Sequence, residues 1–93
     1  MFIVTACYWP SLGFTVHNSL LTGHVLKTVG SLDWRQCVEE CHKNELCFSF
    51  NYSPPDKICE LNNFGFNDPC EADMNLIQAN GWIYHVWKTS QVK

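Results

Sequence analysis

Apolar and polar residues alternate along two short stretches near the start of the chain, and this pattern predicts two strands. The first stretch covers residues 14–20 and the second covers residues 24–29. Thr22 and Gly23 lie between them and read as a turn. Gly30 and Ser31 end the second stretch, because glycine and serine favour turns and helix starts over strands.

The next segment has helical periodicity, with an indole, two sulfurs and a valine on one stripe: Trp34, Cys37, Val38 and Cys41. We therefore expect one helix near residues 32–43. Ser31 is the expected N-cap and Asn44 the expected left-handed C-cap. Because Cys37 and Cys41 are one turn apart, a sheet packed below the helix can reach both sulfurs.

A hairpin is predicted over residues 47–62, because two strand-like runs flank a Pro-Pro turn that cannot continue a ladder. Alternation along the first run divides its side chains into two sets on opposite faces of the strand. We expect the second set to face the helix. The first set is Phe48, Phe50 and Tyr52, and the second is Cys47, Ser49 and Asn51. Residues 82–87 are predicted as the last strand. The connection over residues 63–81 is long and contains Cys70.

Length and composition narrow the class of protein. A chain of 93 residues fits one domain, which we place at residues 7–90, and its six cysteines are dense for a cytosolic protein but ordinary for a secreted one. The net charge is −3, and the six basic residues are spread singly. Nucleic acid and heparin are therefore poor partners, since phosphate and sulfate binding needs clustered Lys and Arg.

The localisation expected from the cysteines is secreted or extracellular. No export signal is visible, because the apolar run at residues 1–6 is too short and lacks a basic start. No segment approaches the roughly 20 apolar residues of a membrane span. We therefore interpret the chain as a piece of a longer secreted protein or as a truncated sequence of one, and a cytosolic protein is the less favoured alternative.

The spacing Cys-x3-Cys-x5-Cys, followed by Ser-Phe-Asn-Tyr and then Cys-Glu-Leu-Asn, resembles the PAN/apple domain family. The resemblance covers about residues 14–87 and is densest over residues 37–62. It implies an α+β fold: a curved antiparallel sheet with one helix packed across it, stapled by disulfides. It also implies two helix-to-sheet bridges, Cys37–Cys59 and Cys41–Cys47.

Two features depart from that family. Apple repeats have a third bridge between the termini, but here Cys70 precedes the last strand, so the pair Cys7–Cys70 is inferred by elimination. The family members that bind heparin have a basic surface, which this chain lacks, so that activity is not expected here.

Other chemistry is less well supported. Zinc binding by the cysteines with His42 lacks the two close cysteine pairs of a structural site. A Cys–His enzyme needs a free thiol, whereas every cysteine here has a plausible structural role. The acidic residues Asp68, Glu71 and Asp73 lack the pattern of a calcium loop. We expect no enzyme activity, metal or cofactor.

The candidate ligand-binding residues are aromatic: Phe64, Phe66, Trp82 and Tyr84. The two phenylalanines lie in the long connection and are the side chains that we expect to be exposed. Asn51 begins a glycosylation sequon, although a buried structural role is the competing interpretation. The expected function is a non-enzymatic extracellular module that binds a protein or a glycan, and the alternative is a structural spacer in a larger secreted protein.

Overall fold

A computed structural model describes residues 14–66 and 69–88 of the chain, apart from the side chains of Pro69 and Asp73. Within these residues the chain forms five strands and two helices. In chain order they are β1 (Phe14–Leu20), β2 (Val25–Gly30), α1 (Trp34–Lys43), β3 (Ser49–Ser53), β4 (Ile58–Asn62), α2 (Pro69–Asn75) and β5 (Ile77–Val86).

The five described strands form one antiparallel sheet in the order β1-β5-β3-β4-β2, and α1 packs across β3 and β4. The predicted hairpin is the β3–β4 pair, in which Ser53 is opposite Ile58 and residues 54–57 make the turn. The predicted α+β fold, an antiparallel sheet with a helix across it, is confirmed.

The first two strands lie at opposite edges of the sheet, so the simple turn expected between them is wrong. Instead, residues 21–24 cross the sheet face that lies opposite α1. Leu21 is buried there at 4% exposure, and the carbonyl of His24 accepts a hydrogen bond from the amide of Asn63. A tight turn would leave Leu21 in water, so burial of its side chain favours the crossing.

The N-cap of helix α1 lies two residues later than the expected Ser31. Asp33 is the N-cap: its Oδ1 accepts from the Gln36 amide at 2.8 Å, and Gln36 Oε1 accepts from the Asp33 amide at 2.9 Å. This reciprocal capping box satisfies two amides that a helix start leaves unpaired. Asn44 is the C-cap, but its backbone is extended rather than left-handed, and its side chain accepts from the Leu46 amide.

Each face of the sheet has its own hydrophobic core. The core under α1 consists of Cys37, Cys41, Cys47, Phe50, Tyr52, Cys59 and Leu61. The core on the opposite face consists of Leu21, Phe66, Ala72, Tyr84 and Val86. Phe50 and Tyr52 face the helix, so the expectation that Asn51 does so is wrong. Strand β3 begins at Ser49, and its alternation therefore does not extend back to Cys47.

The long connection contains structure that the sequence pattern did not predict. It includes α2, and β5 begins at Ile77, well before the expected start at Trp82. Pro69 suits the first turn of α2, where its missing amide hydrogen costs nothing. Ala72 has no exposed surface, and its small side chain lets α2 lie close to the second core.

Candidate functional site

The two phenylalanines expected at the surface belong to the second core. Phe66 is 5% exposed and packs edge-on against Tyr84, with ring centroids 6.0 Å apart. Phe64 is half-buried and stacks on His24 at 5.0 Å. The expectation of exposure is wrong for Phe66, because the crossing segment and the loop after β4 fold over this face of the sheet and enclose its ring.

The two aromatic candidates on β5 are also poorly placed for a ligand. Tyr84 has no exposed surface, and Trp82 is half-buried. Burial raises the pKa of the Tyr84 phenol to about 12. The phenol makes no hydrogen bond. Tyr84 is therefore a core residue and not a contact residue.

The sequon asparagine is a structural residue as well. Asn51 has no exposed surface; its Oδ1 accepts from the Leu21 amide, and its Nδ2 donates to the Leu21 carbonyl and to Glu60 Oε1. Because every polar atom of this side chain is used inside the fold, an attached sugar is incompatible with it. The glycosylation expected as one interpretation of Asn51 is contradicted by this burial.

Two buried disulfides anchor α1: one joins it to strand β4, and the other joins it to the loop between α1 and β3. They are Cys37–Cys59, with Cα atoms 5.7 Å apart, and Cys41–Cys47, with Cα atoms 5.2 Å apart. These are the pairs that the family resemblance implies. Cys70 is also disulfide-bonded. Cys7 lies outside the described residues, so the pair Cys7–Cys70 stays a prediction.

The described residues contain little that supports catalysis or metal binding. Their cysteines are all bridged and carry no thiolate nucleophile. Within residues 14–66 and 69–88, no three histidine, cysteine or acidic side chains are grouped to hold a metal ion. Of the acidic residues in the long connection, Asp68 and the side chain of Asp73 lie outside the described part of the chain.

A different group of side chains meets where β5 runs beside α1. We call it the aromatic–histidine surface, and it comprises Trp34, His42, His85 and Trp87. On β5, His85 points to the α1 side of the sheet, because it is opposite Phe50 on β3. Helix α1 packs on β3 and β4, so the part of this face formed by β5 and β1 lies beside the helix rather than under it.

Trp34 and His85 form the inner part of this surface. The Trp34 indole lies edge-on to Phe50 and to His85, with centroids 5.1 Å and 5.5 Å apart. His85 is half-buried, and its Nδ1 lies 2.8 Å from Thr15 Oγ1 on β1. The first turn of α1 and two neighbouring strands thus hold the imidazole in one orientation.

His42 and Trp87 form the outer part. Their ring centroids are 3.7 Å apart, and their planes are tilted by 33°. His42 lies in the last turn of α1, where a histidine is favoured by the helix dipole. Trp87 is fixed by its amide, which donates to the carbonyl of Phe48. Both side chains are exposed, Trp87 at 36%.

The electrostatics of this surface depend on the two imidazoles. Burial lowers the pKa of His85, and the neighbouring His42 lowers it further because two positive rings repel each other. His85 is therefore neutral at neutral pH, and its Nδ1 can either donate a hydrogen bond to the Thr15 hydroxyl or accept one from it. The exposed π faces of the Trp87 indole and the His42 imidazole can stack on a planar or aliphatic ligand group or bind a cation.

Sequence analysis missed this surface, although two signals indicated it. Alternation along residues 82–87 puts Ile83, His85 and Trp87 on one face, opposite the Tyr84 face. On α1, Trp34 and His42 are eight positions apart, which places them about 80° apart around the helix axis, within the same half of its surface. What the pattern lacked was the sheet order, which places β5 beside β3 and hence next to α1.

An antiparallel sheet crossed by one disulfide-linked helix defines a small disulfide-stapled α+β module. A comparison with protein-family models matches residues 13–85 to the PAN domain. The chain therefore belongs to the PAN domain family, and the resemblance seen in the cysteine spacing is confirmed. Neither the curated proteins nor the solved structures gave a match to the chain.

No helix in the described residues is long and apolar enough to cross a membrane. The buried disulfides are typical of proteins that fold in an oxidising compartment.

Proposed function

We propose that this chain is a non-enzymatic extracellular recognition module that binds a protein partner through the aromatic–histidine surface. The observation that carries the proposal is the exposed stack of His42 on Trp87. An exposed tryptophan held in a fixed orientation loses little side-chain entropy on binding, and tryptophan is among the residues that dominate binding energy at protein interfaces.

The surroundings of this stack support a protein partner over a small ligand. Leu46 is 62% exposed in the loop that follows α1, and Lys88 Nζ lies 3.4 Å from the carbonyl of Glu45 in the same loop. An apolar side chain, an indole and a lysine are then available at one end of the sheet. A mixed aromatic centre with a polar rim is the usual anatomy of such interfaces.

Membership of the PAN domain family supports the binding role, since these domains act generally as protein-binding or carbohydrate-binding modules. The disulfides support an extracellular setting, where bridged cysteines persist. A glycan is therefore the second ligand class to be tested. A purely structural spacer is the alternative, in which the stack has no partner.

The test is a binding screen with the oxidised domain immobilised on a biosensor. Recombinant extracellular proteins and an array of defined glycans serve as the probes. Trp87→Ala and His42→Ala are compared with the unmodified chain, and Met74→Ala is the matched control because Met74 is 81% exposed on α2. A thermal melt of each variant checks that it is folded.

We expect at least one protein probe to bind, and this binding to fall by tenfold or more in Trp87→Ala, which corresponds to about 1.4 kcal/mol. Met74→Ala should bind as the unmodified chain does. Binding that only Met74→Ala weakens would move the interface to α2. A domain that binds none of the probes would favour the spacer, and a response confined to the array would favour the glycan.

A further inference from the structure

The sheet is irregular at one place on its β1 edge. Between β1 and β5 the pairing jumps from His17 opposite Ile83 to Ser19 opposite Gln78. A single residue of β1, Asn18, therefore spans the gap that four residues of β5 occupy, residues 79–82. Strand β5 pairs with β3 only from Ile83 onward, so residues 79–82 of the bulge lie outside the part of β5 that pairs with β3.

The exposed bulge contains an Asn-Gly step, Asn80-Gly81, and no other asparagine in the chain is followed by glycine. Gly81 has φ +88°, a left-handed conformation that glycine adopts without steric cost. The amide of Gly81 donates to Oδ1 of Asn18 at 3.1 Å, and Asn18 itself has φ +56°. A side chain on the neighbouring strand, rather than a ladder bond, thus holds this amide.

We propose that Asn80-Gly81 is a site of spontaneous deamidation and that the Asn18 side chain sets its rate. The deprotonated backbone nitrogen of Gly81 attacks Cγ of Asn80. A C–N bond forms, the Cγ–Nδ2 bond breaks, and ammonia leaves, which gives a five-membered succinimide. Water then opens the ring at either carbonyl and produces aspartate or isoaspartate at position 80.

Glycine favours this reaction because it has no Cβ to obstruct the approach of its nitrogen, and its backbone rotates freely. The hydrogen bond to Asn18 opposes the reaction in two ways. It stabilises the protonated amide nitrogen, which must lose its proton to attack, and it fixes the backbone that must rotate to close the ring. Breaking this bond is therefore the step that exposes the nucleophile.

Deamidation changes the chemistry of the bulge. Either product replaces a neutral amide with a carboxylate, which adds one negative charge to an exposed site close to the β3–β4 turn, where a Cβ placed on Gly81 would lie 4.0 Å from Cγ of Pro55. Isoaspartate also inserts a methylene into the main chain of β5, which displaces Gly81 from Asn18. The modification is thus irreversible and local, and it lies away from the aromatic–histidine surface.

The experiment follows deamidation of the oxidised, folded chain at mildly alkaline pH by peptide mapping, using the mass gain from replacing an amide NH2 with OH. Asn63 and Asn75 are internal controls, since both are exposed and precede bulky residues. Asn18→Gly removes the acceptor while tolerating the left-handed backbone, and Asn18→Asp retains an acceptor oxygen. The reduced, unfolded chain gives the unrestrained rate.

We expect Asn80 to convert faster than Asn63 and Asn75 in the folded chain, and more slowly than in the unfolded chain. Asn18→Gly should accelerate conversion of Asn80 roughly 2- to 10-fold, the range that one net hydrogen bond represents, and Asn18→Asp should not. If Asn80 converts no faster than Asn63 and Asn75, the proposed deamidation site is wrong. Equal rates in Asn18→Gly and the unmodified chain would overturn the role of Asn18.

Discussion

The side chain of Asn51 pairs with the backbone of Leu21 as a neighbouring strand would. Its Oδ1 accepts from the Leu21 amide at 2.9 Å, and its Nδ2 donates to the Leu21 carbonyl at 2.9 Å. Asn51 lies on β3 at the centre of the sheet, and Leu21 lies in the segment that carries the chain from one edge of the sheet to the other. This pair therefore fixes the path of the crossing segment.

Asn51→Ala should lower the free energy of unfolding by about 2–4 kcal/mol, because it leaves a buried amide and a buried carbonyl of Leu21 without partners. Urea denaturation followed by tryptophan fluorescence measures the loss. Asn63→Ala is the control, since Asn63 is exposed, and it should change stability by no more than about 0.5 kcal/mol. Similar losses in the two variants would show that the crossing segment does not depend on Asn51.

Two buried tyrosines differ in whether their hydroxyl has a partner. Tyr52 Oη donates to the Leu32 carbonyl at 2.8 Å, whereas the Tyr84 hydroxyl has no hydrogen bond. Tyr52→Phe should therefore cost about 0.5–1.5 kcal/mol of stability. Tyr84→Phe should leave stability unchanged or raise it, because it removes a buried polar group that gains nothing from the fold. A loss in Tyr84→Phe equal to that in Tyr52→Phe would mean that the Tyr84 phenol is hydrogen-bonded.

Much of the fold follows from local sequence signals. The helical spacing of Trp34, Cys37 and Cys41 predicts α1, and the Pro-Pro turn predicts the hairpin beneath it. Both signals act over a few residues, where steric and packing preferences decide the structure. The family resemblance adds the pairing of the two central disulfides, which spacing alone leaves open.

The sheet order and the site depend on distant contacts that local patterns do not encode. Whether Phe66 is exposed depends on which segment covers the face opposite α1, and that segment is tied down by Asn51, which is 30 residues from Leu21 along the chain. The meeting of His42 and Trp87 likewise requires β5 to lie beside β3. Alternation identifies two faces of a strand but not which face another element buries.

The two central disulfides should differ in their contribution to stability. Cys37–Cys59 closes a separation of 22 residues and Cys41–Cys47 one of 6, and both are buried. In the chain-entropy picture these loops are worth about 3 and about 2 kcal/mol, respectively. The double variant Cys37→Ala/Cys59→Ala should therefore unfold at lower urea than Cys41→Ala/Cys47→Ala.

A thermal melt of the unmodified chain complements this comparison. We expect EDTA to leave the melting temperature unchanged and a reductant to lower it strongly, since disulfides need no metal. Unfolding on EDTA alone would indicate a structural metal site. Greater stability in Cys37→Ala/Cys59→Ala than in Cys41→Ala/Cys47→Ala would contradict the entropic account of these bridges.

Acid should destabilise the domain through His85. Burial and the nearby His42 lower the pKa of His85 below its ordinary 6.5, so the unfolded chain binds a proton more readily than the folded chain does. The stability that His85 contributes is then fully present above pH 6.5, and it is lost as the pH falls through that value and through the lowered pKa of the folded state.

His85→Phe should flatten this part of the pH dependence, because it keeps a ring against Trp34 and Phe50 but cannot titrate. His42→Gln should reduce the effect only in part, because it removes the neighbouring positive charge and leaves the burial of His85 unchanged. Urea denaturation midpoints of the unmodified chain, His85→Phe and His42→Gln between about pH 7.5 and about pH 5 give the pH dependence of stability. NMR of the imidazole protons gives the pKa of His85 directly. If His85→Phe loses stability with falling pH as steeply as the unmodified chain, the acid sensitivity arises from another group and His85 is not the titrating residue.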